Sequence, residues 1–195
     1  MEKFSAAGRF PGGFFKREGK PTEKEILSAR LIDRPIRPLF SKSFKKDTQI
    51  IAQVYSYDGE NDPDVLAAIG ASAALTVSNI PFLEPIGEVR VARIDDKYVI
   101  NPTKAELQYS DLELTIAGTA SSIVMVEGEA HGISEEDLLE ALKTAHEEIK
   151  KIVEIQNELQ SECGQDKVVV EEKEISEELK KDVFDLAYDK YAELV

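Results

Sequence analysis

Apolar residues recur at helical spacing in some stretches of this chain and at strand spacing in others. Ile26, Leu27, Leu31 and Ile32 follow T-E-K-E, in which Thr22 and Glu25 form a capping box, so a helix is predicted to start there. Pro35 and Pro38 are expected to stop it, because proline lacks the helical donor and restricts the residue before it. TQIIAQVYSY, residues 48–57, is rich in β-branched and aromatic residues and predicts a strand. A second helix is expected from Asp62, with Pro63 at its first position. It runs through the small residues Gly70, Ala71, Ser72, Ala73 and Ala74, a face suited to close packing or, alternatively, to ligand approach.

Strands then dominate: GEVRVARI, KYVI, LELTIAG and SIVMVEGEA, separated by turn signals such as Asp95-Asp96 and Asn101-Pro102. SIVMVEGEA carries a nearly unbroken apolar run, which suits a strand buried on both faces. A long helix is predicted from Ser134. Leu138, Leu142, Ala145, Ile149, Ile152 and Leu159 recur three and four apart, interrupted by Gln156, and Gly164 ends it. KVVVEEKEI, residues 167–175, reads as a connector or short strand. A last helix places Val183, Leu186, Ala187 and Tyr191 on one side. The pattern as a whole predicts an α/β (α+β) domain, a mixed sheet packed with helices, over residues 1–164. Residues 165–195 read as a connector and the start of an all-helical module.

Composition narrows the class. With 42% hydrophobic and 32% charged residues among 195, the chain should fold, and no apolar run is long enough to span a membrane. One cysteine, Cys163, and two histidines, His131 and His146, leave no disulfide framework and no histidine metal site. A cytoplasmic protein is the simplest reading. The net charge of −14 argues against a nucleic-acid partner until its distribution is considered. Residues 1–46 hold 12 Lys/Arg against 5 Asp/Glu, whereas the remainder holds 12 against 33. A basic N-terminal quarter on an acidic body offers a polyanion a local field. Two oppositely charged surfaces without a ligand would give the same totals.

Candidate chemistry concentrates in that quarter. GRFPGGFFKREGKP, residues 8–21, has four glycines and two prolines and reads as loop. In it Phe14 and Phe15 offer stacking faces for unpaired bases, and Lys16 and Arg17 offer charge to phosphates. Both rings could instead fold inward as an anchor. In ARLIDRPIRPLF, Arg30 and Arg34 share a helix face and Arg37 follows. Arginine suits bidentate phosphate recognition, although a surface salt-bridge network with Asp33 would explain the same residues. Asp58, Glu60, Asp62 and Asp64 resemble a calcium loop only superficially, since the sixth-position glycine and twelfth-position glutamate are out of register. Helix capping accounts for Asp62 and solvation for the rest. No phosphate-binding or dinucleotide-binding glycine motif and no nucleophile elbow is present.

GRFPGGFFKREGKPTEKEILSARLIDRPIRPLF, with NDPDVLAAIGASAAL, IPFLEPIGEVRVARIDDKYVINPT and LTIAGTASSIVMVEGEA, resembles the polynucleotide phosphorylase family over nearly the whole chain. The resemblance implies the first of that family's ribonuclease PH-like domains, of the ribosomal protein S5 domain 2-like class, followed by the start of an all-helical linker domain. Family members carry several strands before this loop and a second PH-like domain after the linker. The chain is therefore expected to be a fragment, truncated at its N-terminus and at its C-terminus. The implied activity is processive 3′-to-5′ phosphorolysis of RNA, with inorganic phosphate and Mg²⁺, by a homotrimer that can have degradosome-type partners.

The resemblance also implies roles. Phe14, Phe15, Lys16 and Arg17 fall on the loop that lines the RNA channel, with Lys16 where the family usually has arginine. Arg30, Arg34 and, more weakly, Arg37 fall on arginines at the interface between the two PH-like domains. Glu113 and Thr115 fall on a metal-holding carboxylate and a lysine of the second domain's active site. With no cation at Thr115, this half is expected to be catalytically degenerate and Mg²⁺ to be held outside it.

Overall fold

The computed structural model describes residues 22–170 and 176–192. The loop residues Phe14, Phe15, Lys16 and Arg17 lie outside them.

Helix α1, Glu23–Ile36, begins at the capping box read from the sequence. The Glu25 amide donates to Thr22 Oγ1 at 3.2 Å, and the Thr22 amide donates to the Glu25 carboxylate at 2.6 Å. Pro35 does not stop it. The helix runs through Pro35 to Ile36 and tightens into a 3₁₀ turn over Arg37–Leu39. Proline removes only the donor that would reach back to residue 31. Pro35 and Ile36 are both buried, so packing holds the last turn in place.

Residues 48–57 form no strand. Their β-branched side chains have the right propensity, but a strand needs a neighbour to pair with, and none lies beside them among the described residues. Ile51 and Tyr55 are 68% and 85% exposed. Helix α2 spans Asp64–Val77 with Pro63 as its N-cap, so it starts two residues later than expected and leaves Asp62 free for other partners. Its small face is used for packing. Ala68, Ala71 and Ser72 are buried, and Ser72 Oγ accepts from the Ile86 amide at 2.9 Å.

The sheet comprises β1 (Gly87–Ile94), β2 (Lys97–Ile100), β3 (Leu112–Gly118) and β4 (Ile123–Ala130), in the order β2-β1-β3-β4. The architecture mixes α and β as expected, and the four described strands all pair antiparallel. Asp95 and Asp96, both in the left-handed region at φ 49° and 60°, turn β1 into β2. A four-residue helix, α3 (Lys104–Leu107), capped by Thr103 and Glu106, was not anticipated. β4 is an edge strand rather than a doubly buried one. Only Met125 is buried along it, because nothing pairs with its outer side among the described residues.

Helix α4, Glu135–Cys163, starts on the Ser134 cap and ends at Gly164 as predicted. It lies across one face of the sheet, where Ala141, Ala145, Ile149 and Val153 meet Val89, Val91, Leu112, Leu114 and Ile116. The close approach depends on Gly87, since a Cβ there would sit 2.9 Å from the Ile149 carbonyl oxygen. Gln156 interrupts the apolar stripe for a reason. It is buried, and its Nε2 donates to the Ile86 carbonyl at 2.8 Å. A smaller core joins α1 to α2 through Ile36, Ala71, Leu75, Phe82 and Ile86.

The connector after Gly164 stays attached to this body. Lys167 Nζ donates to the carbonyls of Leu75, Thr76 and Ser78 at 2.7–2.8 Å, which caps the C-terminus of α2. Helix α5, Glu177–Ala192, leaves Leu179, Val183, Phe184 and Leu186 exposed. Among the described residues no helix is long and apolar enough to cross a membrane.

Candidate functional site

Arginines 30, 34 and 37 stand on α1 and the turn after it, and Arg34 reaches the sheet at Glu127 of β4. Helical geometry places Arg30 and Arg34 one turn apart. All three are exposed, yet their electrostatic states differ. Arg30 makes no ion pair among the described residues. Arg34 is hydrogen-bonded through Nη1 to the carboxylate of Glu127 on β4, with both side chains a little under half exposed. Arg37 grips Asp33 one turn back, Nε at 3.1 and 3.2 Å and Nη2 at 2.5 Å, which raises its pKa. The expected salt-bridge network is therefore real at Asp33–Arg37, and α1 itself brings the cations together.

A cross-strand row leads inward from this helix. Register pairs Glu127 with Thr115 and Thr115 with Arg90, so the three residues occupy one line on one face of the sheet. Arg90 is buried and holds Asp64 at 2.6 Å and Asp62 at 3.1 Å, with Glu113 at 3.5 Å. Asp62 also receives Lys24 of α1 at 2.9 Å and Lys104 of α3 at 3.1 Å. Burial alone would push the Asp62 carboxyl up. Hydrogen bonds from Lys24, Lys104 and Arg90 outweigh it and hold the group at about 2. Asp62 and Asp64 are thus members of a buried ion cluster rather than a helix cap and a solvated charge.

Glu88, two residues before Arg90 on the same face, is fully buried, and among the described residues neither carboxylate oxygen has a hydrogen-bond partner. Burial, then repulsion from Asp64, push its pKa to about 9 against the opposing pull of Arg90. The group is neutral at physiological pH. The sequence did carry a signal for this site. Glu88 and Arg90 alternate inside an apolar strand, so they must share a face and find polar company there.

Glu113 and Thr115 share one face of β3, where Arg34 reaches only as far as Glu127 beside Thr115, and Glu113 faces Arg90. Among the described residues no group of three or more histidines, cysteines or carboxylates could hold a metal ion. Asp58 accepts from the amides of Glu60 and Asn61 at 2.8 and 2.9 Å, which fixes the loop before α2 and lowers its pKa. His146 Nε2 donates to the Thr119 carbonyl at 3.1 Å, and His131 is exposed. Cys163 is an exposed free thiol. A cleft of about 880 Å³ opens between α1, residues 40–54 and the start of α2. Arg37, Lys42, Lys46, Phe40 and Phe44 are on its wall.

Two models of the 3′ exoribonuclease family match this chain, domain 1 over residues 1–81 and domain 2 over residues 84–148. The chain belongs to the 3′ exoribonuclease family. It is 51% identical over its whole length to a polyribonucleotide nucleotidyltransferase of Thermomicrobium roseum. Over 84% and 85% of its length it is 56% and 57% identical to those of Prosthecochloris aestuarii and Chlorobaculum parvum. It covers 25%, 22% and 23% of these proteins, so it spans about a quarter of the relatives it matches. A crystal structure of rice (Oryza sativa) Rrp46 superposes with a TM-score of 0.61 at 15% identity, over 74% of this chain and 69% of that one. That likeness concerns the fold alone. The exoribonuclease frame assigns α1 and α2 to the family's domain 1, and the sheet with the first half of α4 to its domain 2.

Proposed function

We propose that this chain is the RNA-guiding part of a 3′-to-5′ phosphorolytic exoribonuclease, a polyribonucleotide nucleotidyltransferase. In that reaction an oxygen of inorganic phosphate attacks the phosphorus of the terminal linkage. The bond to the 3′ oxygen of the preceding nucleotide breaks, that oxygen takes a proton, and a nucleoside diphosphate leaves. Such chemistry needs positioning and charge stabilisation more than a covalent protein group.

The observation that carries this reading is the exposed arginine row of α1 and the turn after it, anchored to β4 through Arg34 and Glu127, in a chain of this family. Arg30, Arg34 and Arg37 face RNA or phosphate at the junction with a second PH-like domain. Phe14, Phe15, Lys16 and Arg17 supply the channel loop ahead of α1. Residues 1–164 form the first PH-like domain, and 165–195 begin the helical linker. The parent enzyme acts in the cytoplasm as a homotrimer in mRNA turnover, with degradosome-type partners.

Mg²⁺ does not fit the described residues. Arg90 occupies the surroundings of Glu113, and no lysine stands at Thr115. Bond breaking then belongs to the second PH-like domain. That same feature favours the alternative of a non-catalytic RNA-binding or assembly module.

Incubating the chain with oligoadenylate, phosphate and Mg²⁺ tests the assignment. RNA binding without ADP release is expected, and ADP release from this chain alone would overturn it. In the assembled enzyme, replacing Phe14 and Phe15 by alanine should weaken single-stranded RNA binding, and unchanged affinity and processivity would remove the loop from the channel.

A further inference from the structure

The three arginines of α1 and the turn after it lie within about two helical turns, yet only Arg30 is without an ion pair among the described residues. Arg34 and Arg37 are each held by a carboxylate that is itself accessible to solvent. The side chains of Arg34 and Glu127 are 44% and 45% exposed, and those of Arg37 and Asp33 are 76% and 48% exposed. We propose that Glu127 and Asp33 are resident counter-anions of these arginines, displaced by a chain of phosphates and resistant to a single phosphate. The inference rests on the RNA-facing reading of α1 and adds two residues that set its specificity.

The argument is one of exchange. A carboxylate and a phosphate present the same kind of acceptor oxygens to a guanidinium, so each can take the other's place. An exposed ion pair contributes little, which makes the exchange inexpensive. A carboxylate fixed on the fold nevertheless competes at a high effective concentration, and a lone phosphate must outcompete it by intrinsic affinity. An RNA strand meets the row differently. Its first phosphate meets Arg30, which has no resident carboxylate among the described residues, and its neighbours then reach Arg34 and Arg37 in an intramolecular step that matches the advantage of the tethered carboxylates. Asp33 and Arg37 sit on the wall of the cleft beside α1, and Glu127 stands on the edge strand β4. Both carboxylates can swing outward without disturbing a core.

The test titrates a fluorescent oligoadenylate and, separately, inorganic phosphate against the full chain and its Glu127→Gln and Asp33→Asn variants. Each variant keeps the side-chain shape and removes the charge. Tightening of roughly two- to fivefold per variant is expected for RNA, the range that an exposed pair supports, with a proportionally larger gain for free phosphate. Unchanged or weaker RNA binding in both variants, while Arg34→Ala still weakens it, would overturn the proposal and leave the RNA reading standing. If Arg30→Ala and Arg34→Ala leave RNA affinity unchanged, the RNA reading fails, and this proposal with it. An equal gain for RNA and phosphate would also overturn the proposed selectivity.

Discussion

Val89 and Val91 project from β1 toward α4, and Glu88 and Arg90 project from the same strand the other way. The first pair joins an apolar layer with Ala141, Ala145, Ile149 and Val153, all of them buried. The second pair enters a layer of charge with Asp62, Asp64 and Glu113, where Glu88 and Asp64 are buried and Asp62 and Glu113 are partly open to water. One strand therefore serves two solvents. On the α4 side burial itself is favourable, and each residue contributes alone. On the α1 side burial is costly, and each charge is tolerable only because of its neighbours. The charged face is also the one that carries the arginine row and the Thr115 position. The fold thus keeps its stability on one face and its capacity for electrostatic work on the other.

Arg90 is where that contrast breaks most sharply. Arg90→Ala leaves the buried Asp64 without its ion-pair partner, while Asp62 keeps Lys24 and Lys104, and should cost about 3–5 kcal/mol in urea unfolding. Replacing Arg90 and Asp64 together by apolar residues of similar size should recover much of that loss, because no orphaned charge then remains beside Glu88. A single-variant loss below about 1 kcal/mol would show that the cluster is solvated and that the two faces are less different than their burial indicates.

The apolar face should fail more gently. Ile149→Ala removes a fully buried side chain under Gly87 and should cost about 2–4 kcal/mol, with part of the cavity closed by movement of α4. No second substitution should rescue it in the way a partner removal rescues Arg90. Rescue by one would mean that the α4 face also depends on specific pairs.

Glu88 sharpens the comparison through pH. Its folded pKa of about 9 lies above the ordinary 4.5, so between these values the folded state holds a proton that the unfolded chain has released. The stability it contributes is fully present below about 4.5 and falls as pH rises toward 9, by about 1.4 kcal/mol per pH unit. Asp62 runs the opposite way. Its pKa is held at about 2 from 3.8, so its contribution is present above 3.8 and is lost as pH falls through 2. Glu88→Gln should flatten the fall between neutral and alkaline pH. The net gain near neutrality is on the order of 1 kcal/mol, since the buried amide still lacks partners. An unaltered slope would show that Glu88 is ionised in the folded protein.

What the sequence revealed of this arrangement divides by distance along the chain. The start of α1 and both ends of α4 were legible because Thr22, Glu25, Ser134 and Gly164 act within one turn of their own helix. The four strands were legible from their residues, and residues 48–57 were misread on the same evidence, because propensity does not say whether a neighbour exists. The arginine row could be read from the four-residue spacing of Arg30 and Arg34. The carboxylates that occupy it could be read only in part. Asp33 lies one turn from Arg37, but Glu127 is 93 residues from Arg34. The buried cluster, the Gln156 bond to Ile86 and the Lys167 cap on α2 join residues 23 to 92 apart in sequence. No local pattern encodes such partners. The indirect signal was a charged pair alternating inside an apolar strand, and a glutamine inside an apolar helix stripe.

The smallest effect is expected at Arg34, and its smallness is the point. Arg34–Glu127 and Arg90–Asp64 are both guanidinium–carboxylate pairs, one open to solvent and one enclosed. Removing the enclosed arginine strands a charge. Removing the open one lets Glu127 return to water, so Arg34→Ala should shift the urea midpoint by less than about 0.5 kcal/mol in stability. Oligoadenylate binding by the same variant should weaken measurably and lose part of its salt dependence, because one phosphate contact is gone. A large loss of stability with unaltered RNA binding would reverse both halves of this expectation and make Arg34 a clamp between α1 and β4. The expected split places the two pairs in different roles. The pair that the fold needs is beyond the reach of RNA, and the pair that RNA can exchange is one the fold can spare.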